Sequence, residues 1–180
     1  MKIIIIGNGG SGKSTLGNKL SIDLGIPVTH LDKLSWKKDF QNFSEDDFTI
    51  ALFKEMSKPD WIIEGWAYHS TVYERLKRAD VIIYLKYPFE FCMNEAVKRN
   101  REYHNKSYPF DPFEGDRNSK EDLLRTAIIR VHEKLEPELQ IWLKEFKEDY
   151  KKKIFTYTSR EDLNRGYFEL LKTLRDISIV

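Results

Sequence analysis

Five short apolar runs alternate with longer segments in which polar and apolar residues are mixed. The first and fourth runs consist almost wholly of Ile, Val, Leu and Tyr, a composition typical of strands that are covered on both faces of a parallel sheet. The predicted strands are residues 2–6, 27–31, 61–64, 81–85 and 154–158.

Apolar residues at helical spacing fill the segments between these strands. The predicted helices are residues 13–24, 46–56, 71–77, 88–103, 120–135, 138–150 and 161–174. Ser44, Ser119 and Ser159 each stand three residues before an aspartate, a pattern that resembles a capping box at the start of a helix. Pro137 is expected to break or kink the helical region around it.

The alternation of strands and helices predicts one α/β sandwich over residues 1–180, with right-handed crossovers between parallel strands. Residues 105–118 interrupt the pattern with Pro109, Pro112 and Gly115 among several charges. Such a stretch predicts a mobile loop, and loops of this length inside a compact domain often carry function. We therefore expect a helical or loop-like lid at about residues 101–119.

Composition narrows the class of protein. The chain has 180 residues with 41% hydrophobic content, enough for a real core, and its formal charge is +1. That balance argues against a nucleic-acid or anionic-membrane partner, because no global field would attract either one. A single cysteine, Cys92, excludes an internal disulfide, and the short apolar start is neither a signal peptide nor a membrane span. These features predict a cytoplasmic protein and leave its oligomeric state open.

Residues 7–14 read Gly-Asn-Gly-Gly-Ser-Gly-Lys-Ser and match the complete pattern G-x-x-x-x-G-K-[ST]. Glycines let successive backbone N–H groups point at phosphate oxygens, and the following helix adds its positive N-terminal end. Lysine can then reach the terminal phosphates, and the serine hydroxyl can bind Mg²⁺. The predicted ligands of ATP are Gly7, Gly9, Gly10, Ser11, Gly12, Lys13, Ser14 and Thr15. A glycine-rich turn without a ligand is the alternative, which the complete motif disfavours.

Asp32 follows the end of the second strand. Ligands of open α/β sheets bind beyond the carboxyl ends of the strands, so Asp32 is predicted to lie near the phosphate loop. It could act as a base for an acceptor hydroxyl or hold a water molecule on Mg²⁺, and the alternative is that it caps the next helix or turn. His30 should face the same side of the strand, where a structural role is expected.

The third strand ends in an acidic residue and a glycine, Glu64 and Gly65. A carboxylate after an apolar strand suits a Walker-B-like position near Mg²⁺, so Ser14 and Glu64 are the predicted metal ligands. Such strand endings are also common without any metal. The predicted acceptor-binding residues are Asp32, Trp36, Glu64, Gly65 and Trp66, although the two tryptophans could instead cover the core.

Basic residues flank the predicted lid. Arg99 and Arg101 end the helix before it, and Arg125 lies on the helix after it. Cations beside a flexible segment are what a lid closing over polyphosphate requires, whereas the alternative is a solvated basic surface. Because Arg99 and Arg101 are two residues apart on a helix, they point in different directions, and one of them is expected to face the site.

With these motifs in place, the sequence resembles the nucleotide-kinase branch of P-loop proteins, which includes adenylate, shikimate and gluconate kinases. It resembles more closely the bacterial proteins labelled DNA topology modulation protein (FlaR-type), described as related to adenylate kinase. The segments that carry this likeness are "MKIIIIGNGGSGKSTL", "GIPVTHLDKLSWK", "WIIEGW" and "RADVIIYLKYP". The resemblance implies a three-layer P-loop NTPase domain whose parallel five-stranded sheet has the order 2-3-1-4-5.

Two departures from the resemblance matter. The usual Asp-Gly after the third strand is Glu64-Gly65 here, and the longer side chain weakens a direct transfer of any metal role. Adenylate kinases also grip the acceptor phosphate with arginines before and just after the third strand, whereas this chain has no arginine before Arg75. The acceptor is therefore expected to be less anionic than AMP.

The predicted function is Mg²⁺- and ATP-dependent phosphoryl transfer to a small acceptor, either a nucleotide, a nucleoside or another metabolite. Lys13, Asp32, Arg99, Arg101 and Arg125 are the predicted catalytic residues. Two alternatives belong to other classes of protein. One is a regulatory switch that hydrolyses ATP slowly, and the other is a DNA-topology-related binding protein.

Overall fold

The computed structural model describes residues 1–35, 44–102 and 121–178. Trp36, the capping Ser119 and residues 103–119 of the predicted lid lie outside the described residues.

A parallel sheet of five strands forms the middle layer, with the order β2-β3-β1-β4-β5. The predicted fold class and strand order are thereby confirmed. The strands are β1 Lys2–Gly7, β2 Val28–His30, β3 Trp61–Glu64, β4 Val81–Leu85 and β5 Lys153–Tyr157. The central strands β1, β3 and β4 are buried along almost their whole length, as their continuous apolar runs predict.

Helices cover both faces of this sheet. The α-helices are α1 Lys13–Leu24, α2 Leu31–Leu34, α3 Glu45–Met56, α4 Val72–Arg78, α5 Phe89–Glu102, α6 Glu121–Arg130, α7 Glu136–Glu148 and α8 Arg160–Ser178. A 3₁₀ turn at His69–Thr71 precedes α4, and a π-helical turn at Val131–Leu135 joins α6 to α7. The short helix α2 was not predicted, because four residues carry no readable helical period.

The predicted helix starts can be checked at two of the three serines. The Ser44 hydroxyl accepts a hydrogen bond from the backbone N–H of Asp47 at 3.1 Å, and the Ser159 hydroxyl accepts one from Asp162 at 3.0 Å. Pro137 lies directly after an interruption of the α-helical pattern, since the π-helical turn Val131–Leu135 separates α6 from α7. It occupies the first turn of α7, directly after the π-helical turn, where a missing N–H is tolerated.

Alternate residues of β1 pack into the two halves of the core. Ile4 and Ile6 face α3, α4 and α7, whereas Ile3 and Ile5 face α1 and α8. Because β1 is held from both sides, the residue that follows it is delivered to a fixed point at the carboxyl edge of the sheet. Within the described residues, none of the helices is both long enough and apolar enough to cross a membrane.

Candidate active site

The phosphate loop, residues 7–14, connects β1 to α1 at the carboxyl edge of the sheet. Gly10 and Gly12 have φ angles of +80° and +88°, which side chains rarely adopt. At Gly10 a Cβ atom would also lie 2.2 Å from the backbone oxygen of Cys92 on α5. The loop therefore needs glycine both for its backbone shape and for its close approach to α5.

Hydrogen bonds within the loop converge on one carbonyl group. The backbone oxygen of Asn8 accepts from the Ser11 hydroxyl and from the Lys13 ammonium group, each at 2.8 Å. The buried Asn8 side chain donates to the backbone oxygen of Ile128 on α6 at 3.1 Å. Lys13 is thus already held against the loop, where a bound polyphosphate would find it.

Ser14, Glu64 and His30 form a hydrogen-bonded chain beside the loop. The Ser14 hydroxyl donates to Glu64 Oε1 at 2.9 Å, and His30 Nδ1 lies 2.7 Å from the same oxygen. Glu64 is only 2% exposed. Burial by itself would raise its pKa, but the hydrogen bond from His30 and the charge of Lys13 together hold the pKa of Glu64 below its ordinary value. Glu64 is therefore ionised at neutral pH.

The oxygen atoms of Ser14 and Glu64 suit Mg²⁺ better than a metal ion whose ligands must all come from the protein. Within residues 1–35, 44–102 and 121–178, no group of three or more His, Cys, Asp and Glu side chains could hold a metal ion. Magnesium in phosphoryl-transfer sites is bound through one or two protein oxygens together with water and substrate phosphates. The Ser14 hydroxyl and the Glu64 carboxylate supply that number of oxygens, so the predicted metal pair is chemically suitable.

Asp32 lies in the first turn of α2 and lines a cavity of about 270 Å³ above the phosphate loop. The N-cap of α2 is His30, so Asp32 does not cap that helix. Asp32 is exposed as a residue, and its Oδ1 atom lies beside Gly65. Desolvation of this group and the negative charge of Glu64 raise the pKa of Asp32, and Lys13 and Arg99 oppose the rise. A carboxyl group whose pKa is raised inside a cleft suits acid–base chemistry.

The predicted lid arginines have different surroundings. Arg99 lines the same cavity as Lys13 and Asp32. Arg101 is 66% exposed and makes two hydrogen bonds to Glu121 at 3.0 Å, and Arg125 binds the same carboxylate at 2.7 Å. These two arginines hold the pKa of Glu121 down at about 2. The structure therefore brings Arg99 to the phosphate loop and ties Arg101 and Arg125 to each other through Glu121.

The turn after β3, residues 65–67 and called here the β3 turn, lies beside Asp32. A Cβ atom at Gly65 would lie 3.7 Å from Asp32 Oδ1. Trp66 is only 8% exposed, and its indole N–H donates to the backbone oxygen of Gly7 at 2.8 Å. Little of the Trp66 side chain is accessible to an acceptor. Its hydrogen bond is to the first residue of the phosphate loop.

Arg75 is the residue near this site that sequence reasoning missed. It lies on α4, is fully buried and donates to backbone oxygens of the β3 turn. A signal was present, because Arg75 stands three residues after Val72 and next to Leu76, at the spacing of the buried face of the helix. A charged residue in such a position indicates a specific partner.

None of the known protein-family models matches this chain. Among curated proteins, the shikimate kinase of Clostridium botulinum strain Langeland is 33% identical over 112 residues, and that of strain Loch Maree is 32% identical over 112 residues. Both matches cover 54% of this chain and 65% of the relative, so the chain aligns with just under two thirds of these relatives.

Solved structures with a similar fold superpose on almost the whole of this chain. Shikimate kinase from Aquifex aeolicus has a TM-score of 0.53 at 17% identity, with 99% of each chain covered. Shikimate kinase from Bacteroides thetaiotaomicron has a TM-score of 0.56 at 17% identity, covering 97% of this chain and 98% of its own. A gluconokinase from Sinorhizobium meliloti has a TM-score of 0.51 at 14% identity, covering 98% and 97%. The fold is that of a P-loop NTPase of the shikimate kinase type.

Proposed function

We propose that this protein is an ATP-dependent kinase that transfers the terminal phosphoryl group of ATP to a hydroxyl group of a small molecule. One observation carries the proposal: Lys13, Ser14, Asp32 and Arg99 line a single cavity above a complete phosphate loop. These are the groups that bind phosphate, neutralise developing charge and accept a proton. The sequence similarity to shikimate kinases supports the same class of reaction.

Each residue has a role that its position allows. The loop N–H groups and Lys13 hold the phosphates, and Arg99 stabilises negative charge that develops on the transferred group. Ser14 and Glu64 would hold Mg²⁺, which would neutralise charge on the phosphates. His30 keeps Glu64 in place through the 2.7 Å contact.

The nature of the acceptor follows from Asp32. A phosphate acceptor has a second pKa near 6 and attacks at neutral pH without a base, whereas a hydroxyl group needs one. Asp32 places a carboxylate in the cavity beside Lys13, where such a proton would be released. A hydroxyl acceptor therefore fits the site better than a nucleoside monophosphate does.

The finer resemblance to DNA topology modulation proteins adds no separate activity to this proposal, since that group is itself described as related to adenylate kinase. The near-neutral charge of +1 gives no reason to prefer DNA as the acceptor or partner. ATP, Mg²⁺, a small hydroxyl compound and a cytoplasmic setting complete the proposal.

The test is a screen for acceptor-dependent release of ADP, with mass spectrometry of the phosphorylated product. Shikimate and gluconate are the first compounds, because similar proteins carry those names, followed by nucleosides and nucleoside monophosphates. We expect a hydroxyl compound to stimulate ADP release and to gain one phosphoryl group. Stimulation by DNA or by a protein without a phosphorylated small molecule would contradict the proposal and favour a regulatory switch.

A further inference from the structure

We infer that Arg75 is a positioning residue that holds the β3 turn in place and, through this turn, fixes both the wall beside Asp32 and the start of the phosphate loop. Its link to activity rests on the proposed function, but its structural part does not.

Arg75 is 0% exposed, although it carries a charged side chain. Its guanidinium group donates to the backbone oxygens of Thr71 at 3.3 Å, Gly65 at 2.8 Å and Trp66. Within the described part of the chain, no acidic side chain pairs with it. Burial lowers the pKa of Arg75 to about 9, so the group is still a cation at neutral pH.

The β3 turn explains why a guanidinium group is needed here. Gly65 and Ala67 have φ angles of +113° and +48°, so the chain leaves the sheet in an unusual conformation. The carbonyl groups of Gly65 and Trp66 are turned toward α4, where water cannot reach them and each needs a donor. One planar, forked cation satisfies both carbonyl groups, which a lysine ammonium group cannot do with the same geometry.

The turn then contacts both sides of the site. Its Trp66 indole donates to the backbone oxygen of Gly7, the first residue of the phosphate loop, at 2.8 Å. Its Gly65 packs beside Leu31 and Asp32, where an added Cβ atom would lie 3.3 Å from the Leu31 Cβ. A shift of the turn therefore moves the loop and the acceptor wall together. Burying an arginine is costly, and this double contact gives a reason to keep one here.

The experiment compares Arg75→Met with Leu76→Ala. Leu76 is the next residue on α4 and is also fully buried, but it makes no hydrogen bond to the β3 turn among the described residues. Three quantities are measured: the stability to urea, the NMR signal of the Trp66 indole N–H, assigned with Trp66→Phe, and the Kd of MgADP by calorimetry.

We expect both variants to lose stability, but only Arg75→Met to shift the Trp66 indole signal. Arg75→Met should also weaken MgADP binding by about three- to tenfold, the effect expected from one lost hydrogen bond at the loop. Leu76→Ala should leave the indole signal and the Kd unchanged. A folded Arg75→Met variant with a native indole signal and native Kd would overturn the inference.

Two further variants keep the test decisive if Arg75→Met does not fold. Arg75→Lys keeps a cation but loses the fork, so the indole signal should still shift. Trp66→Phe removes the indole donor to Gly7 together with part of a buried ring, and it should weaken MgADP binding as Arg75→Met does. Native MgADP affinity in Trp66→Phe would disprove the link from turn to loop. None of these readouts needs phosphoryl transfer, so a missing acceptor would defeat the proposed function and leave this inference standing.

Discussion

The phosphate loop and the β3 turn meet at Gly7, yet they are held in different ways. The loop is fastened largely by its own atoms, with Ser11 and Lys13 both bonded to the Asn8 carbonyl group. The turn is fastened from outside, by Arg75 on α4 and by the contact of Trp66 with Gly7. The loop thus holds most of its shape through local contacts, whereas the β3 turn on the acceptor side depends on a residue of another helix.

The largest effect is expected in the phosphate loop, at Lys13. Lys13→Ala removes the charge that reaches the terminal phosphates and leaves only backbone contacts. We expect turnover to fall to background and ATP affinity to drop sharply, measured by ADP release and calorimetry. Lys98→Ala is the matched control, because Lys98 lines the same cavity but is 68% exposed. Equal losses in the two variants would mean that general positive charge, and not the loop geometry, binds ATP.

On the acceptor side, Asp32→Asn should lower kcat by about two to four orders of magnitude, the range typical of a lost proton-transfer group. ATP affinity should persist, because the loop is intact. The pKa of Asp32 is raised, so the acid limb of the kcat/KM profile should lie above the ordinary aspartate value of 3.8. That limb should vanish in the variant. A near-normal kcat would assign Asp32 to holding water on Mg²⁺ instead.

Arg99→Ala should lower kcat by tenfold or more, about 1.4 kcal/mol in the barrier. Arg99 lines the cavity, and a contact that forms only with the transferred phosphoryl group lowers kcat and kcat/KM together. Arg101→Ala is the paired comparison, since that side chain is bonded to Glu121. We expect it to act weakly. Full kcat in both variants, or the larger loss at Arg101, would contradict the assignment.

The smallest effect concerns stability and pH. The pKa of Glu64 is lowered in the folded protein, so its contribution to stability is fully present above its unfolded pKa, near 4.5. It is lost as the pH falls through the lower folded pKa. Glu64→Gln should therefore cost about 1 kcal/mol at pH 7 in urea unfolding, and the difference should shrink below pH 4. A difference that does not change with pH would show that Glu64 is not ionised as proposed.

The sequence predicted the sheet well because each central strand is a continuous apolar run, which is typical of a strand covered on both faces. It predicted the phosphate loop because that site is contiguous. The acceptor side was harder. Trp66 was predicted to bind the acceptor or to cover the core, and it is buried with its indole bonded to Gly7; Arg75 was overlooked although its guanidinium group holds the turn. The contact of Trp66 with Gly7 joins residues far apart in sequence, which local patterns do not encode, whereas the helical spacing marks Arg75 as buried without naming its partners.

Direct tracing of the transferred phosphoryl group tests the central claim most directly. The protein is incubated with Mg²⁺, ATP labelled at the terminal phosphate and a pool of small metabolites, and labelled products are separated and identified by mass spectrometry. The account predicts label on a hydroxyl group of one small organic molecule, lost in Lys13→Ala and strongly reduced in Asp32→Asn. Label that appears only as inorganic phosphate, at a rate no metabolite changes, would contradict it.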